Sequence, residues 1–147
     1  MRDRQLEFSS VTISFFVHAT EDLDRITNRL SEALDLNPAD LVCETVEGHF
    51  GNKITSVKAH IIGEKTGLVA RKLISRLSDH ARKDTINLVG SSTDMHDSLY
   101  LRLDRQSLHG KLELADDEPI RVKLKPKYRL ADRNTTLKAY VELIECE

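Results

Sequence analysis

Four stretches of the chain alternate apolar and polar residues with a period of two. This is the spacing at which side chains reach opposite faces of a β-strand. The most regular stretch is PIRVKLKPKYR at 119–129, in which apolar residues alternate with Arg121, Lys123 and Lys125. VTISFFVHA, KITSVKAHII and LYLRLDR follow the same pattern. Such segments predict a sheet with one apolar face and one polar face.

Between the alternating stretches, apolar residues recur at helical spacing, as in Leu23, Ile26, Leu30 and Leu34. Thr20 and Ser78 are candidate N-caps for two helices. With KLELA (111–115) as a further strand, the predicted order is β-α-β-β-α-α-β-β-β-α. Because hairpin-length connections dominate, this order predicts one α+β domain over residues 1–147. We expect a two-layer sandwich with a largely antiparallel sheet and helices packed on one face.

Composition narrows the class of protein. Of the 147 residues, 31% are charged and 39% apolar, which is typical of a soluble globular domain. The net charge of −2 argues against a polycation that coats nucleic acid, but a local basic face remains compatible with it. No apolar run is long enough for a membrane span, and MRDRQLEFSS predicts no signal peptide. Cys43 and Cys146 lack CxxC spacing, so we expect free thiols in a reducing cytoplasm.

The strand at 119–129 holds the strongest functional signal, because five of its eleven residues are basic and none is acidic. Period-two geometry places its cations in a row at roughly 6.5–7 Å spacing, close to the phosphate repeat of a nucleic-acid strand. Two interpretations stay open: a solvated or edge-protecting charge row, and an RNA surface. If helices cover the other face, neighbouring strands add the cations Lys58 and Arg102 and the rings of Phe16, His18, His60 and Tyr100. Single-stranded RNA could place its phosphates on such cations and stack its bases on such rings.

EGHFGNKI (47–54) lies between two predicted strands and contains two glycines. One interpretation is a hairpin turn, since glycine permits positive φ. The other is a loop that presents His49 and backbone amides to a ligand phosphate. The GxxG loop of KH domains also has this glycine spacing, but it connects helices and usually carries a cation, so we reject that assignment.

Motifs for catalysis and metal binding are absent from the sequence. It contains no HxH or HxxxH, no zinc-like cysteine–histidine spacing, no nucleophile elbow and no phosphate-binding glycine loop. DMHD (94–97) offers potential metal ligands, but a chance cluster explains it equally well. We therefore predict no enzyme, cofactor or metal. A hydrolase or nuclease that uses His49 with a nearby carboxylate is the remaining catalytic alternative.

EGHFGNKI, LYLRLDRQ (99–106) and PIRVKLK together resemble an archaeal family of RNA-binding proteins and predicted exosome subunits, over nearly the whole chain. The chain departs from the family pattern at Lys53, where most members have proline, and at Arg105, where most have lysine. The resemblance implies a fold similar to the large-subunit ribosomal protein that binds 5S ribosomal RNA. It also implies a cytoplasmic archaeal protein linked to RNA processing or translation, and it supplies no catalytic residues.

We therefore predict a non-catalytic RNA-binding protein. Arg121, Lys123 and Lys125 would contact phosphates, with Arg102, Arg105 and Lys58 flanking them and His49 and Phe50 shaping the site or stacking on bases. The alternative is an adaptor that docks on a ribonuclease complex, such as the exosome, or on a ribosome without RNA affinity of its own. A homodimer formed through an open sheet edge is a variant of that alternative.

Overall fold

The computed structural model describes residues 6–48 and 50–146, in which an antiparallel sheet packs against a layer of helices. The strands in this part of the chain are β1 (Phe8–His18), β2 (Leu41–Glu47), β3 (Lys53–Ile62), β4 (Leu99–Leu103) and β5 (Ile120–Pro126). They lie in the order β2-β3-β1-β5-β4, and every neighbouring pair is antiparallel.

The helices of the described residues cover one face of the sheet. They are α1 (Leu23–Leu34), α2 (Lys65–Arg76), α3 (Asp79–Asn87), α4 (Val89–Ser92) and α5 (Arg133–Cys146), with 3-10 turns at Pro38–Asp40 and Arg105–Ser107. The predicted α+β two-layer sandwich is therefore confirmed, with helices on one face of an antiparallel sheet.

The central strand β1 explains why the sheet has one dry face. Val11, Ile13, Phe15 and Val17 are at most 4% exposed and form part of the core under the helices. Burying side chains of this size stabilises a fold by about 1.5–3 kcal/mol each. The residues between them face the other way, towards solvent. The polar positions of β3 and β5 lie beside these in register, so one whole face of the sheet is open.

Two short segments differ from what the sequence pattern indicates. KLELA (111–115) joins the fold through isolated bridges at Leu112 and Leu114 and does not form a continuous strand. Val89–Ser92 adds the short helix α4, where the sequence around Gly90 indicates a loop.

Of the two N-caps predicted above, one is confirmed and one is wrong. Ser78 caps α3, since its side-chain oxygen accepts a hydrogen bond from the backbone N–H of Ala81 at 3.0 Å. The predicted cap of α1, Thr20, is wrong. Asp22 takes that position and accepts from the backbone N–H of Arg25. Either residue type suits an N-cap, so the choice depends on where the chain leaves β1.

Candidate nucleic-acid interface

The cations of β5 lie on the sheet face that the helices leave open. Arg121, Lys123 and Lys125 alternate with apolar residues that are fully buried on the helix side. Alternate residues of a strand are about 6.6–6.8 Å apart, so the three side chains form a row with that spacing. The structure thus brings together the three residues on which the sequence argument depended.

Neighbouring strands add cations to the same face. Arg102 on β4 lies opposite Arg121, and Lys58 on β3 lies opposite Ser14, whose other neighbour is Arg121. Strands are about 4.8 Å apart, so the backbone of Lys58 is about 10 Å from that of Arg121. The basic face consists of Lys58, Arg102, Arg121, Lys123 and Lys125.

Few acidic groups compensate the basic face. Within residues 6–48 and 50–146, no carboxylate oxygen lies within 4.0 Å of the charged groups of Lys58, Arg121, Lys123 or Lys125. Arg102 is 3.8 Å from Asp116, whose side chain is fully exposed, and such pairs contribute little in water. Like charges directly opposite each other, as at Arg102 and Arg121, also destabilise a sheet. Within the described residues, the cations of this face are therefore largely without close carboxylate partners.

Aromatic rings lie among the cations of the open face. Tyr100 is 43% exposed, and the Nζ of Lys123 lies 5.6 Å from its ring centroid. Phe16 on β1 is 52% exposed although both its neighbours in sequence are buried. His60 on β3 lies on the same face, with its Nδ1 3.1 Å from the hydroxyl of Thr12. The open face thus combines cations with flat side chains.

Asp94 fixes the position of Tyr100. The phenol donates a hydrogen bond to its Oδ2 at 2.9 Å, while its Oδ1 accepts from the backbone N–H groups of His96 and Ser98. Burial alone would raise the pKa of Asp94, but these hydrogen bonds and the nearby Lys123 lower it below its ordinary value. The carboxylate is therefore ionised at neutral pH and holds the ring by a charge-assisted hydrogen bond.

Arg105 does not join the basic face. Its Nη1 donates to both carboxylate oxygens of Glu21 at 3.1 and 3.0 Å, and its Nε donates to the carbonyl of Glu118 at 3.1 Å. The guanidinium lies 5.8 Å from the ring centroid of Phe15, and the side chain is only 8% exposed. The geometry assigns Arg105 to the structure of the fold, where it ties the turn after β1 to the loop before β5.

Glu21 is the acidic member of this contact. Partial burial acts to raise its pKa, but the hydrogen bond from the backbone N–H of His18 and the charge of Arg105 outweigh it, so the pKa is lowered. Glu21 and Arg105 are therefore both charged at neutral pH. The Nη1 and Nε of Arg105 thus donate inside the protein, and its side chain is largely buried.

The segment EGHFGNKI forms the connection between β2 and β3. The N–H of Gly48 donates to the carbonyl of Asn52, and the N–H of Gly51, at a φ of 78°, donates to the carbonyl of Gly48. The hairpin interpretation is thus confirmed. His49 lies outside the described residues. Phe50 is 85% exposed, but five residues of β3 separate Lys53 at the turn from Lys58, or about 17 Å. The structure does not bring Phe50 next to the row on β5.

A protein-family model described as RNA binding matches residues 10–126. The chain belongs to this RNA-binding family. RNA-binding protein PAB1135 of Pyrococcus abyssi is 29% identical, with 97% of each chain covered. Uncharacterised protein MJ0213 of Methanocaldococcus jannaschii is 27% identical over 76% of this chain and 79% of its own. Protein AF2318 of Archaeoglobus fulgidus has the same fold in its crystal structure, with a TM-score of 0.76, 21% identity, and 93% of this chain and 99% of that one covered.

The matched span of this RNA-binding family contains the whole basic face, together with Phe16, His60 and Tyr100. The family is described by RNA binding and not by a catalytic activity.

In the part of the chain that the structure describes, no three His, Cys, Asp or Glu side chains form a group that could hold a metal ion. His18 contacts Glu118, and Cys43 and Cys146 are free thiols. No helix among these residues has the length and apolar character of a membrane span.

The distance between the turn at Phe50 and the cations of β5 depends on the order of the strands in the sheet. The alternation places Phe16, His60 and Tyr100 on the open face, and the glycine-rich turn adds Phe50 as a further candidate for stacking. The order β2-β3-β1-β5-β4, which a single sequence does not reveal, places the turn beside an edge strand and the cations near the other edge.

Proposed function

We propose that this protein binds RNA by contacting its phosphates with the basic face. The observation that carries the proposal is the row of Arg121, Lys123 and Lys125 on an open sheet, flanked by Arg102 and Lys58. A row at about 6.6–6.8 Å spacing can follow consecutive phosphates of one strand. Membership of the RNA-binding family supports RNA as the ligand. Among the described residues, Arg102 alone of these cations has a carboxylate oxygen within 4.0 Å, which supports this face as the site.

The proposal is tested by removing the row and comparing it with a matched set of cations elsewhere. The test variant is Arg121→Gln/Lys123→Gln/Lys125→Gln. The control is Arg71→Gln/Lys72→Gln/Lys83→Gln, which removes one arginine and two lysines from exposed positions of the helix layer. Both variants change the net charge equally, so any difference between them reports the place of the charge.

The expected result is loss of most RNA affinity in the test variant and near-normal affinity in the control. Each phosphate contact on a single strand contributes about 0.7 to the slope of log K against log salt. The test variant should therefore lower that slope by about 2, as measured by fluorescence anisotropy across a salt series. If the test variant binds RNA as tightly as the wild type does, the basic face is not the site.

We infer further that the protein acts in RNA processing with the exosome, or in translation, in the cytoplasm. The support is the resemblance of its motifs to the archaeal family described above; likeness to the 5S-RNA-binding ribosomal protein stays a prediction on the same basis. Affinity purification of the tagged protein with and without nuclease treatment tests this. Exosome or ribosomal proteins retained after nuclease would favour direct protein contact, and their absence from both samples would contradict the inference.

The exposed edge of β2 favours a second candidate, an adaptor that binds a protein. Among the described residues β2 pairs with β3 alone, and Val42 and Val46 are 66% and 48% exposed. Its sequence, LVCETVE, has no lysine or proline to block another strand from pairing with this edge. The partner would be an exosome or ribosomal protein, or a second copy of this chain.

Val42→Lys/Val46→Lys distinguishes the adaptor from the RNA-binding function. If β2 forms an interface, this variant loses a saturable protein complex, or a dimer seen by sedimentation, and retains RNA binding. Wild-type protein that binds a partner but no RNA at low salt would favour the adaptor over the proposed function. A variant that still forms the same complex would exclude β2 as the interface.

A further inference from the structure

We propose that the ligand of the basic face is single-stranded RNA, with bases stacked on the rings of Phe16 and Tyr100. The inference rests on the proposed function and adds to it the class of RNA and the side chains that contact bases. It selects these two from the several rings that the sequence offers for stacking, which lie on the sheet face and at Phe50 in the turn.

Phe16 carries the first step because it is a large apolar residue that is half-exposed on the open face. The side chain is 52% exposed on the open face, whereas Phe15 and Val17 are 4% and 2% exposed on the other face. Its neighbour across the sheet is Ser56, a small polar residue that leaves the ring accessible from above. A phenylalanine that is half-exposed forgoes about half of the roughly 1.5–3 kcal/mol that full burial would give, and a base stacked on the ring would cover the surface that remains.

Tyr100 is already held in place for stacking. Its hydroxyl is bound to Asp94, and Lys123 lies over the ring at 5.6 Å. A side chain fixed in this way loses little conformational freedom when a base packs on it. Lys123 is also close enough to exchange its contact with the ring for a contact with the phosphate of the same nucleotide. A single nucleotide would thus contact a cation and a ring that are already neighbours in the free protein.

The two rings lie on opposite sides of the cation row. Tyr100 is directly opposite Lys123 on β4, about one strand spacing away. Phe16 is on β1, two residues beyond the position that faces Arg121, so it is a diagonal neighbour at about 7–8 Å. An RNA strand whose phosphates lie along β5 therefore has a ring within reach of its bases on either side. Bases can be directed to such rings only if they are unpaired.

A duplex does not fit this arrangement. An RNA double helix keeps its bases stacked and paired inside, and it presents phosphates and 2′-hydroxyls at its shallow groove. The rings of Phe16 and Tyr100 would have no base faces to contact there. A single strand supplies both phosphates in series and free base faces, and stacking tolerates any sequence because every base has a π-face.

Direct comparison of two RNAs tests the class of ligand. A short oligoribonucleotide and the same sequence annealed to its complement are titrated into wild-type protein at low salt. We expect at least about tenfold tighter binding of the single strand, because each stacked base adds about 5- to 150-fold to the affinity. Equal or tighter binding of the duplex would overturn the inference and leave the proposed function intact. Failure to bind either RNA would instead contradict the proposed function.

Substitution of the rings tests the contact. Phe16→Ala and Tyr100→Ala should each weaken single-strand binding by about 5- to 150-fold without changing the salt slope, because no phosphate contact is lost. Tyr100→Phe keeps the ring and loses only its hydrogen bond to Asp94, so it should weaken binding less than Tyr100→Ala does. Phe16→Leu should resemble Phe16→Ala if stacking, and not apolar contact, is responsible. Leu68→Ala is the control, since Leu68 is 64% exposed on the helix layer.

A fluorescent base gives a readout that a structural role would not affect. An oligoribonucleotide containing 2-aminopurine should lose fluorescence when its base stacks on a ring of the wild-type protein. The loss should be smaller with Phe16→Ala or Tyr100→Ala at saturating protein, while circular dichroism confirms that the variants are folded. Unchanged affinity and unchanged quenching in both variants would overturn the assignment of these rings.

Discussion

Arg105 shows how the position of a residue within an alternating segment decides whether its charge is available to a ligand. In LYLRLDR it has the same parity as the buried Leu101 and Leu103, whereas Arg102 has the parity of the exposed Tyr100. The alternation alone could therefore have separated the two arginines. The contact with Glu21 could not have been found in this way, because 84 positions separate the residues and only the fold brings them together.

Glu21→Gln should lower the free energy of unfolding by about 1–3 kcal/mol at neutral pH, because the largely buried charge of Arg105 then has no carboxylate partner. The pKa of Glu21 is lower in the folded state than the ordinary 4.5, so its contribution is fully present above that pH. It is lost as the pH falls through the folded-state pKa. The difference between wild type and variant should therefore shrink in acid, as measured by urea unfolding at a series of pH values.

Glu32→Gln is the control for this prediction, since it removes an exposed carboxylate from α1. Its effect should stay within about 0.5 kcal/mol at every pH. A difference between wild type and Glu21→Gln that is as large in acid as at neutral pH would mean that the ion pair is not its source. RNA affinity should be unchanged in both variants, because neither residue belongs to the basic face.

At the scale of elements, alternation is a reliable guide where a segment has neighbours along its whole length. β3 covers the ten residues of KITSVKAHII, as the pattern predicts, because β1 and β2 flank it on both sides. KLELA has the same periodicity but meets only the ends of other elements, Leu77 after α2 and Leu103 at the end of β4. Periodicity reports which face a side chain would take, and pairing decides whether a strand forms.

The contact of α5 with the loop before β4 should contribute measurably to stability through Tyr140. Tyr140 is fully buried, its ring stacks on Phe8 at 6.3 Å, and its hydroxyl donates to the carbonyl of Asp97 at 2.5 Å. Tyr140→Phe keeps the ring but leaves that carbonyl without its donor, which should lower the free energy of unfolding by about 1–2 kcal/mol. Chemical denaturation near neutral pH measures this, and an effect close to zero would contradict it.

The pH dependence of the same variant has the opposite direction to that of Glu21→Gln. Burial, with the charges of Asp97 and Asp94, raises the pKa of Tyr140 above the ordinary 10. The unfolded chain therefore ionises this phenol first, and wild-type stability is lost as the pH rises above about 10. Phenylalanine cannot ionise in either state, so the gap between wild type and Tyr140→Phe should narrow in alkali. A gap that stays constant there would show that Tyr140 ionises equally in both states.

At the scale of the whole molecule, the distribution of charge matters more than its sum. The chain has a net charge of −2, so at long range it does not attract a polyanion. The Debye length is about 10 Å at 0.1 M salt and about 3 Å at 1 M, so RNA at the surface interacts mainly with the cations it touches. Because five of these lie on one side of the sheet, the proposed binding depends on one face of a protein that is acidic overall.

A thermal-shift experiment tests this conclusion on the intact protein. A ligand at 100 times its dissociation constant stabilises the native state by about 2.7 kcal/mol, which for a chain of this length raises Tm by about 5–11 °C. Single-stranded RNA should produce such a shift at low salt and lose it near 1 M salt. It should produce little shift in Arg121→Gln/Lys123→Gln/Lys125→Gln and a normal one in Arg71→Gln/Lys72→Gln/Lys83→Gln. Equal shifts in the two variants would mean that RNA binding depends on the total charge of the protein, and that the basic face is not the binding site.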